Sequence, residues 1–129
     1  MSLNAFAQQV GDDIKALRYD SGLRSLNSFV AGRTSGSLTI ERIGNTVTLS
    51  AYNLVMSTSS SGSLLPSALP IGWRPTATVA GASQGLTSRL QVTDAGNVQA
   101  YNWTAGAGIF GTITYVARGI PTTAPGTPA

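Results

Sequence analysis

The sequence contains neither cysteine nor histidine. Without cysteine the chain has no disulfides, no thiol nucleophile and no thiolate ligand for a metal. Without histidine it lacks the commonest general base and the commonest transition-metal ligand. Serine triads that rely on a histidine base are excluded for the same reason. We therefore predict no metal and no cofactor, and we expect that the protein is not an enzyme.

Charge is the second scarcity, because charged residues make up 10% of the chain, against about a quarter in an average globular protein. A surface with so few charges must be dominated by Ser, Thr, Asn, Gln and Gly, which is typical of extracellular β-modules and virion proteins. The 8 basic residues are scattered and form no run of three. Nucleic-acid footprints require clustered cations, so we predict no nucleic-acid partner.

Acidic residues are the rarest of the charged side chains, and there are 5 of them: Asp12, Asp13, Asp20, Glu41 and Asp94. Glycoside hydrolysis needs two carboxyl groups that converge across a cleft. Neighbouring side chains on a helix point about 100° apart, so the adjacent pair at 12 and 13 cannot converge. The other three fall on separate predicted segments. The sequence therefore offers no catalytic carboxylate pair.

Long hydrophobic runs are absent as well, since no apolar stretch approaches the roughly 20 residues of a membrane span. The first residues, MSLNAFAQQVGDDIKALR, lack the basic start and apolar block of a signal peptide. We therefore expect no membrane insertion and no classical secretion.

Residues 1–20 are predicted to form an amphipathic helix with Ser2 as its N-cap. Its apolar positions are spaced 3, 4, 4 and 3 residues apart and form one narrow stripe: Leu3, Phe6, Val10, Ile14 and Leu17. A helix this short is marginal alone in water, so the stripe must be covered. It could pack on its own domain, or against copies of itself or a larger particle. The glycines in 21–36 indicate a flexible connector, which favours the second arrangement.

From residue 37 the apolar residues alternate, which predicts β-strands. Gly44-Asn45 is a two-residue hairpin signal, and DAGN at 94–97 is a second tight turn. Segment 58–63 is predicted as a polar loop, and strands are predicted at 76–81, 86–92, 97–103 and 111–119. Many short strands between Gly-rich turns indicate an antiparallel sandwich or jelly roll over 37–119. Residues 120–129, with three prolines, are predicted as a linker-like or surface-hugging tail.

Tyr101 and Trp103 occupy alternate positions of a predicted strand, so a period of two places them on one face and Asn102 on the other. An exposed Tyr–Trp pair can stack on sugar rings, whereas a buried pair fills a core or an interface. We predict core or interface packing first and carbohydrate contact through Tyr101, Asn102 and Trp103, with Gln99 nearby, second.

Two sets of motifs resemble tailed-phage virion proteins. SLNAFAQQVGDDIKALR is similar to the short helix that begins many tail and fibre proteins. LPIGWRP, followed by LQVTDAGNVQAY and GTITYVARG, resembles the tip domain of phage fibres and collagen-like surface proteins. The resemblance implies a trimer, and it implies that LPIGWRP is a proline-stiffened corner with no catalytic role.

The resulting expectation is a phage virion protein: a mainly β knob, trimeric, on an N-terminal helical anchor that docks on other virion proteins at the outer surface of the particle. A minor tail protein or receptor-binding knob, which could bind host-cell glycans, is the first hypothesis. The short connector also favours a capsid decoration or head-fibre protein. A monomeric carbohydrate-binding surface module with the helix folded back is the third hypothesis.

Overall fold

The structure, a computed structural model, describes residues 2–82, 89–121 and 123–129. One helix, α1, spans Leu3–Arg18 and precedes an antiparallel β-domain, so the predicted mainly β fold with an N-terminal helix is confirmed. The strands are β1 (Arg24–Ser25), β2 (Arg33–Ile43), β3 (Thr46–Met56), β4 (Ser60–Ser63), β5 (Val79–Ala82), β6 (Arg89–Val92), β7 (Val98–Trp103), β8 (Gly108–Val116) and β9 (Thr127–Pro128). A 3-10 turn, Asn27–Phe29, follows β1.

The strands form two sheets, which we call the large sheet, in the order β8-β3-β2-β1-β9, and the small sheet, in the order β4-β7-β6-β5. The β2–β3 hairpin is the centre of the large sheet and turns at the predicted Gly44-Asn45 pair. Gly44 has a φ of 58°, as the first central residue of a type II′ turn requires. The predicted turn at 94–97 likewise joins β6 to β7, where the Gly96 amide donates to the Thr93 carbonyl.

The core lies between the two sheets and contains the alternate, inward residues of their strands. The large sheet contributes residues such as Leu38, Ile40, Val47, Leu49 and Ile113. The small sheet contributes Leu90, Val92, Val98, Ala100 and Trp103. Alternation places these side chains inward because successive residues of a strand point to opposite faces.

Segments 21–36 and 58–63 correct the sequence prediction. Residues 21–36 are not a flexible connector: β1 pairs with both β2 and β9, and Leu26 and Val30 are buried in the core. The loop predicted at 58–63 contains β4, which pairs with β7 as an edge strand. Neither segment alternates in hydropathy, because a two-residue strand is too short and SSGS has no apolar residue.

Most of the other predicted strands are present with shifted bounds. The strand predicted at 76–81 begins later, as β5, and the strand predicted at 111–119 begins earlier, as β8. Part of the strand predicted at 86–92 lies outside the described residues, and β6 is its described portion.

The described part of the tail, 120–121 and 123–129, lies along the domain, and its β9 forms one edge of the large sheet. Arg24 on β1 fixes it: its Nε donates to the Pro125 carbonyl at 3.0 Å and its Nη2 to the Gly126 carbonyl at 2.8 Å. Of the two predicted arrangements, linker-like or surface-hugging, the second is therefore the one observed.

The proline-rich segment 65–75 crosses the end of the sandwich and places Trp73 in the core, fully buried. The indole N–H of Trp73 donates to the Thr123 carbonyl at 2.9 Å, and Tyr115 donates to the Trp73 carbonyl at 2.6 Å. At Gly72 the φ is 92° and a Cβ would lie 2.9 Å from Pro121, so only glycine fits. The segment is therefore a packed corner that joins the core to the C-terminal residues.

Arg42 is the third inward position of β2, after Leu38 and Ile40, and its side chain is fully buried. Its Nε donates to the Gly44 carbonyl at 2.8 Å, and its two Nη atoms donate to the carbonyls of Gly72 and Gly119 and to Asn45 Oδ1. All four acceptors are uncharged.

The cation of Arg42 is thus compensated by carbonyl dipoles, and the Tyr19 ring lies 5.7 Å from it in the range of a cation–π contact. Burial lowers the pKa of the Arg42 guanidinium, and the nearby Tyr19 phenol opposes that shift. Arg42 therefore joins the hairpin, the corner, the C-terminal segment and the residue that follows α1.

We predict that Arg42→Met destabilises the domain by at least about 3 kcal/mol. The substitution leaves the buried carbonyls of Gly44 and Gly72 without their Arg42 donors, and each unsatisfied buried group costs about 1–3 kcal/mol. Urea unfolding followed by tryptophan fluorescence measures the loss. Arg118→Met, which removes an exposed arginine, is the control and should change stability little. Equal stability of the two variants would contradict the structural role of Arg42.

We also predict that stability falls in alkali through Tyr115. Burial raises the pKa of the Tyr115 phenol above its ordinary value, whereas in the unfolded chain the phenol ionises near pH 10. This contribution to stability is complete below about pH 10 and is lost as the pH rises from there toward the folded-state pKa. Urea midpoints measured from pH 8 to pH 11 should therefore decline more steeply in the parent than in Tyr115→Phe. Tyr52→Phe, at a 70% exposed position, should follow the parent.

Candidate functional site

The apolar stripe of α1 is an exposed hydrophobic surface. The helix begins as predicted, with the Ala5 amide donating to Ser2 Oγ at 3.1 Å. The stripe residues are exposed to 81% for Leu3, 57% for Phe6, 41% for Val10, 44% for Ile14 and 64% for Leu17. All five stripe residues are therefore exposed in the described part of the chain.

The C-terminal end of α1 is nevertheless fixed to the sandwich. The Gly44 amide of the hairpin turn donates to the Tyr19 carbonyl at 2.7 Å. The backbones of Asp20 and Ile43 form an isolated antiparallel β-bridge. The amide of Ser21 donates to the Arg42 carbonyl, and the Arg42 amide donates to Ser21 Oγ. The helix thus leaves the domain at the hairpin end from a defined anchor point.

A groove of about 660 Å³ separates α1 from this end of the sandwich. The helix contributes Gln9, Asp12, Asp13 and Leu17, and the sandwich contributes Asn45, Arg118, Gly119 and Ile120. Of the five stripe residues, only Leu17, the last, therefore lines the groove, and the earlier four, from Leu3 to Ile14, lie outside it.

None of the described helices has the length and apolar character of a membrane span.

The predicted glycan residues are separated by a β-bulge. Tyr101 and Asn102 together lie opposite Ser61, between the pairs Gly62–Ala100 and Ser60–Trp103. Asn102 has a φ of 58°, a left-handed conformation that Asn tolerates better than most residues. The extra residue reverses the alternation. The prediction that Tyr101 and Trp103 share a face is therefore wrong.

Trp103 points into the core, where it is 7% exposed, and its indole N–H donates to the Thr58 carbonyl at 2.8 Å. Core packing, the first of the two predicted roles, is confirmed for this residue. Tyr101 lies half-buried on the outer face of the small sheet, and Asn102 is exposed at the edge of the bulge. Carbohydrate contact stays a prediction for Tyr101 and Asn102 alone.

The outer face of the small sheet also contains polar residues that the sequence analysis missed. Arg89 and Gln91 of β6 join Tyr101 and Asn102 of β7 in lining a cleft of about 330 Å³. A signal for this grouping was present, because the predicted turn at 94–97 pairs the flanking strands and thereby sets Gln91 opposite Gln99. The period of two then places Arg89 on the same face.

Apart from the adjacent pair on α1, the carboxylates lie on separate segments of the described structure. Asp12 and Asp13 are on α1, Glu41 is on β2, and Asp94 is in the β6–β7 turn. Asp20 accepts from the Gly22 amide at 2.8 Å, which stabilises the turn after the helix. Within the described ranges no three acidic residues come together as a metal site would require.

A scan against protein-family models and a search of curated proteins each give no match to this sequence.

We predict that Trp103→Ala lowers the free energy of unfolding by about 3–5 kcal/mol, the usual cost of removing a buried aromatic side chain. Tyr101→Ala, which removes a half-buried aromatic from the outer face of the same strand, is the control and should cost clearly less. Thermal and urea unfolding of both variants measure the difference. A Trp103 variant as stable as the Tyr101 variant would mean that the bulge places these rings differently.

Proposed function

We propose that this chain is a structural protein of a bacteriophage particle, attached through the apolar stripe of α1 and exposing its β-sandwich as a knob. The observation that carries the proposal is the exposure of the stripe on a helix whose C-terminal end is fixed to the sandwich by backbone hydrogen bonds. Exposed apolar surface of this kind marks sites of association.

The proposed partner of the stripe is first the same stripe in other copies. Burying the apolar side of a short helix in a bundle offsets the entropy that makes the isolated helix marginal. The motif resemblance described above implies a trimer, which would place three helices around one axis. Other virion proteins would then contact the outside of this bundle.

The sandwich supports the second half of the proposal, a knob that faces the surroundings. Its core is one continuous cluster, and β9 forms one edge of the large sheet. The chain has few charged residues and many Ser, Thr, Asn and Gln residues. The tail apparatus is the first location that we propose, as a minor tail or receptor-binding protein, and the head, as a decoration protein or head fibre, is the second.

A monomeric carbohydrate-binding module, the alternative, would require α1 to bury its stripe on its own domain. The exposure of the stripe, of which only Leu17 lines the groove beneath the helix, favours assembly instead.

We predict that Val10→Asp abolishes self-association, because a charge in the middle of the stripe would have to be buried in the bundle. Sedimentation equilibrium should give three times the 13.2 kDa chain mass for the parent and one chain mass for the variant. Gln8→Asp introduces the same residue at an exposed polar position of α1 and should assemble like the parent.

Two results would overturn the assembly proposal: a monomeric parent at every concentration, or a Val10→Asp variant that assembles like Gln8→Asp. The particle assignment is tested separately, by mass spectrometry of purified virions split into heads and tails. The chain should be found in the tail fraction, or in the head fraction if it is a decoration protein, and its absence from both fractions would contradict the assignment.

A further inference from the structure

The outer face of the small sheet brings a cation, an aromatic ring and two amides into register. Arg89 of β6 lies directly opposite Tyr101 of β7, and Gln91 lies directly opposite Gln99. Side chains of directly opposed residues lie within about 5.5 Å at Cβ. All four belong to the face that points away from the core, since Leu90, Val92, Val98 and Ala100 point inward.

Hydrogen bonds hold three of these side chains in place. Gln91 Nε2 donates to Gln99 Oε1 at 2.7 Å and to the Tyr101 hydroxyl at 3.2 Å, and that hydroxyl donates to Gln99 Oε1 at 3.1 Å. Within the described part of the chain, no acceptor takes the amide hydrogens of Gln99. The three side chains are therefore ordered before a ligand binds, which reduces the conformational entropy that they lose on binding.

The β-bulge adds Asn102 to the cluster. Its exposed side chain lines the same cleft as Arg89, Gln91 and Tyr101. Its backbone N–H donates to Ser61 Oγ at 2.8 Å, which leaves the side-chain amide to face the cleft. The bulge that removes Trp103 from this surface thus supplies an additional amide at the rim of the cleft. Bulges commonly re-aim side chains in this way next to functional sites.

The charge of the cleft is positive. None of the four strands of the small sheet contains an acidic residue: β4 is SSGS, β5 is VAGA, β6 is RLQV and β7 is VQAYNW. The nearest acid along the chain, Asp94, lies beyond the far end of β6 in the turn. Arg89 therefore faces the cleft without an acidic neighbour on its own sheet.

We propose that this cleft binds an acidic saccharide, a sugar bearing a carboxylate or a phosphate. Arg89 would pair with the anionic group, since a guanidinium matches the geometry of both anions. The amides of Gln99 and Asn102 can both donate to and accept from sugar hydroxyls. The Tyr101 ring provides apolar surface with a polar tip, which suits the mixed character of a pyranose ring.

The proposal concerns the knob alone and does not depend on how α1 assembles. A chain that fails to self-associate could still bind the saccharide, and an assembled chain could fail to bind it. The two proposals therefore fail in different experiments.

The test is the binding of the full chain to an array of oligosaccharides that end in sialate, in hexuronate or in a sugar phosphate, printed beside their neutral cores. The parent should bind acidic members and not the corresponding neutral cores. The carboxylate and phosphate arms show which anion the cleft takes. Binding to no acidic member, or equal binding to the neutral cores, would overturn the proposal.

Two variants locate the site. Arg89→Gln and Tyr101→Ala should each weaken binding of the best acidic member roughly tenfold or more, the loss expected when a hydrogen bond to a charged group or an aromatic contact is removed. Arg118→Gln removes the same charge at an exposed position outside the cleft and should bind like the parent. Circular dichroism confirms that each variant is folded. A folded Arg89→Gln variant that binds as well as Arg118→Gln would contradict the site.

Discussion

The buried guanidinium of Arg42 donates to the hairpin turn, the proline-rich corner and the C-terminal segment at once, through Gly44, Gly72 and Gly119. A cation in a core is tolerated only when dipoles or charges replace its lost hydration. Here uncharged oxygens do so, and the carbonyls are in place only if all three segments fold together. The hairpin end of the sandwich thus depends on an interaction that requires all three segments.

In the proposed function, α1 and the β-sandwich have separate roles. The sandwich contains a complete core and fixes the exit of α1 through Tyr19 and the hairpin turn, so the helix can stand at a defined position without packing its stripe. A fixed exit lowers the entropy lost when several helices meet. The small sheet, by contrast, presents an ordered polar face around Tyr101. In this proposal α1 attaches the chain to its partners, and the small sheet binds the ligand.

The regular parts of this fold follow from the sequence, because alternation and turn chemistry are local. The hairpin at Gly44-Asn45, the turn at 94–97 and the helix cap at Ser2 are all present where local rules place them. Four features required tertiary information. Arg42 continues the inward pattern of β2, yet its charge argues for a surface position until its carbonyl partners are known. The short β1 and the edge strand β4 have no hydropathy signal. The bulge at Asn102 reverses the alternation of β7, as a register shift at Asn53 does in β3.

The proposed function depends on a partner for the stripe of α1. Hydrogen–deuterium exchange of the full chain, measured across a dilution series, tests this claim most directly, because a short helix without a partner frays and exchanges rapidly. The account predicts that amides within Leu3–Arg18 are protected at high concentration and lose protection on dilution, while those of Thr46–Met56 do not change. Rapid exchange throughout Leu3–Arg18 at every concentration would contradict it.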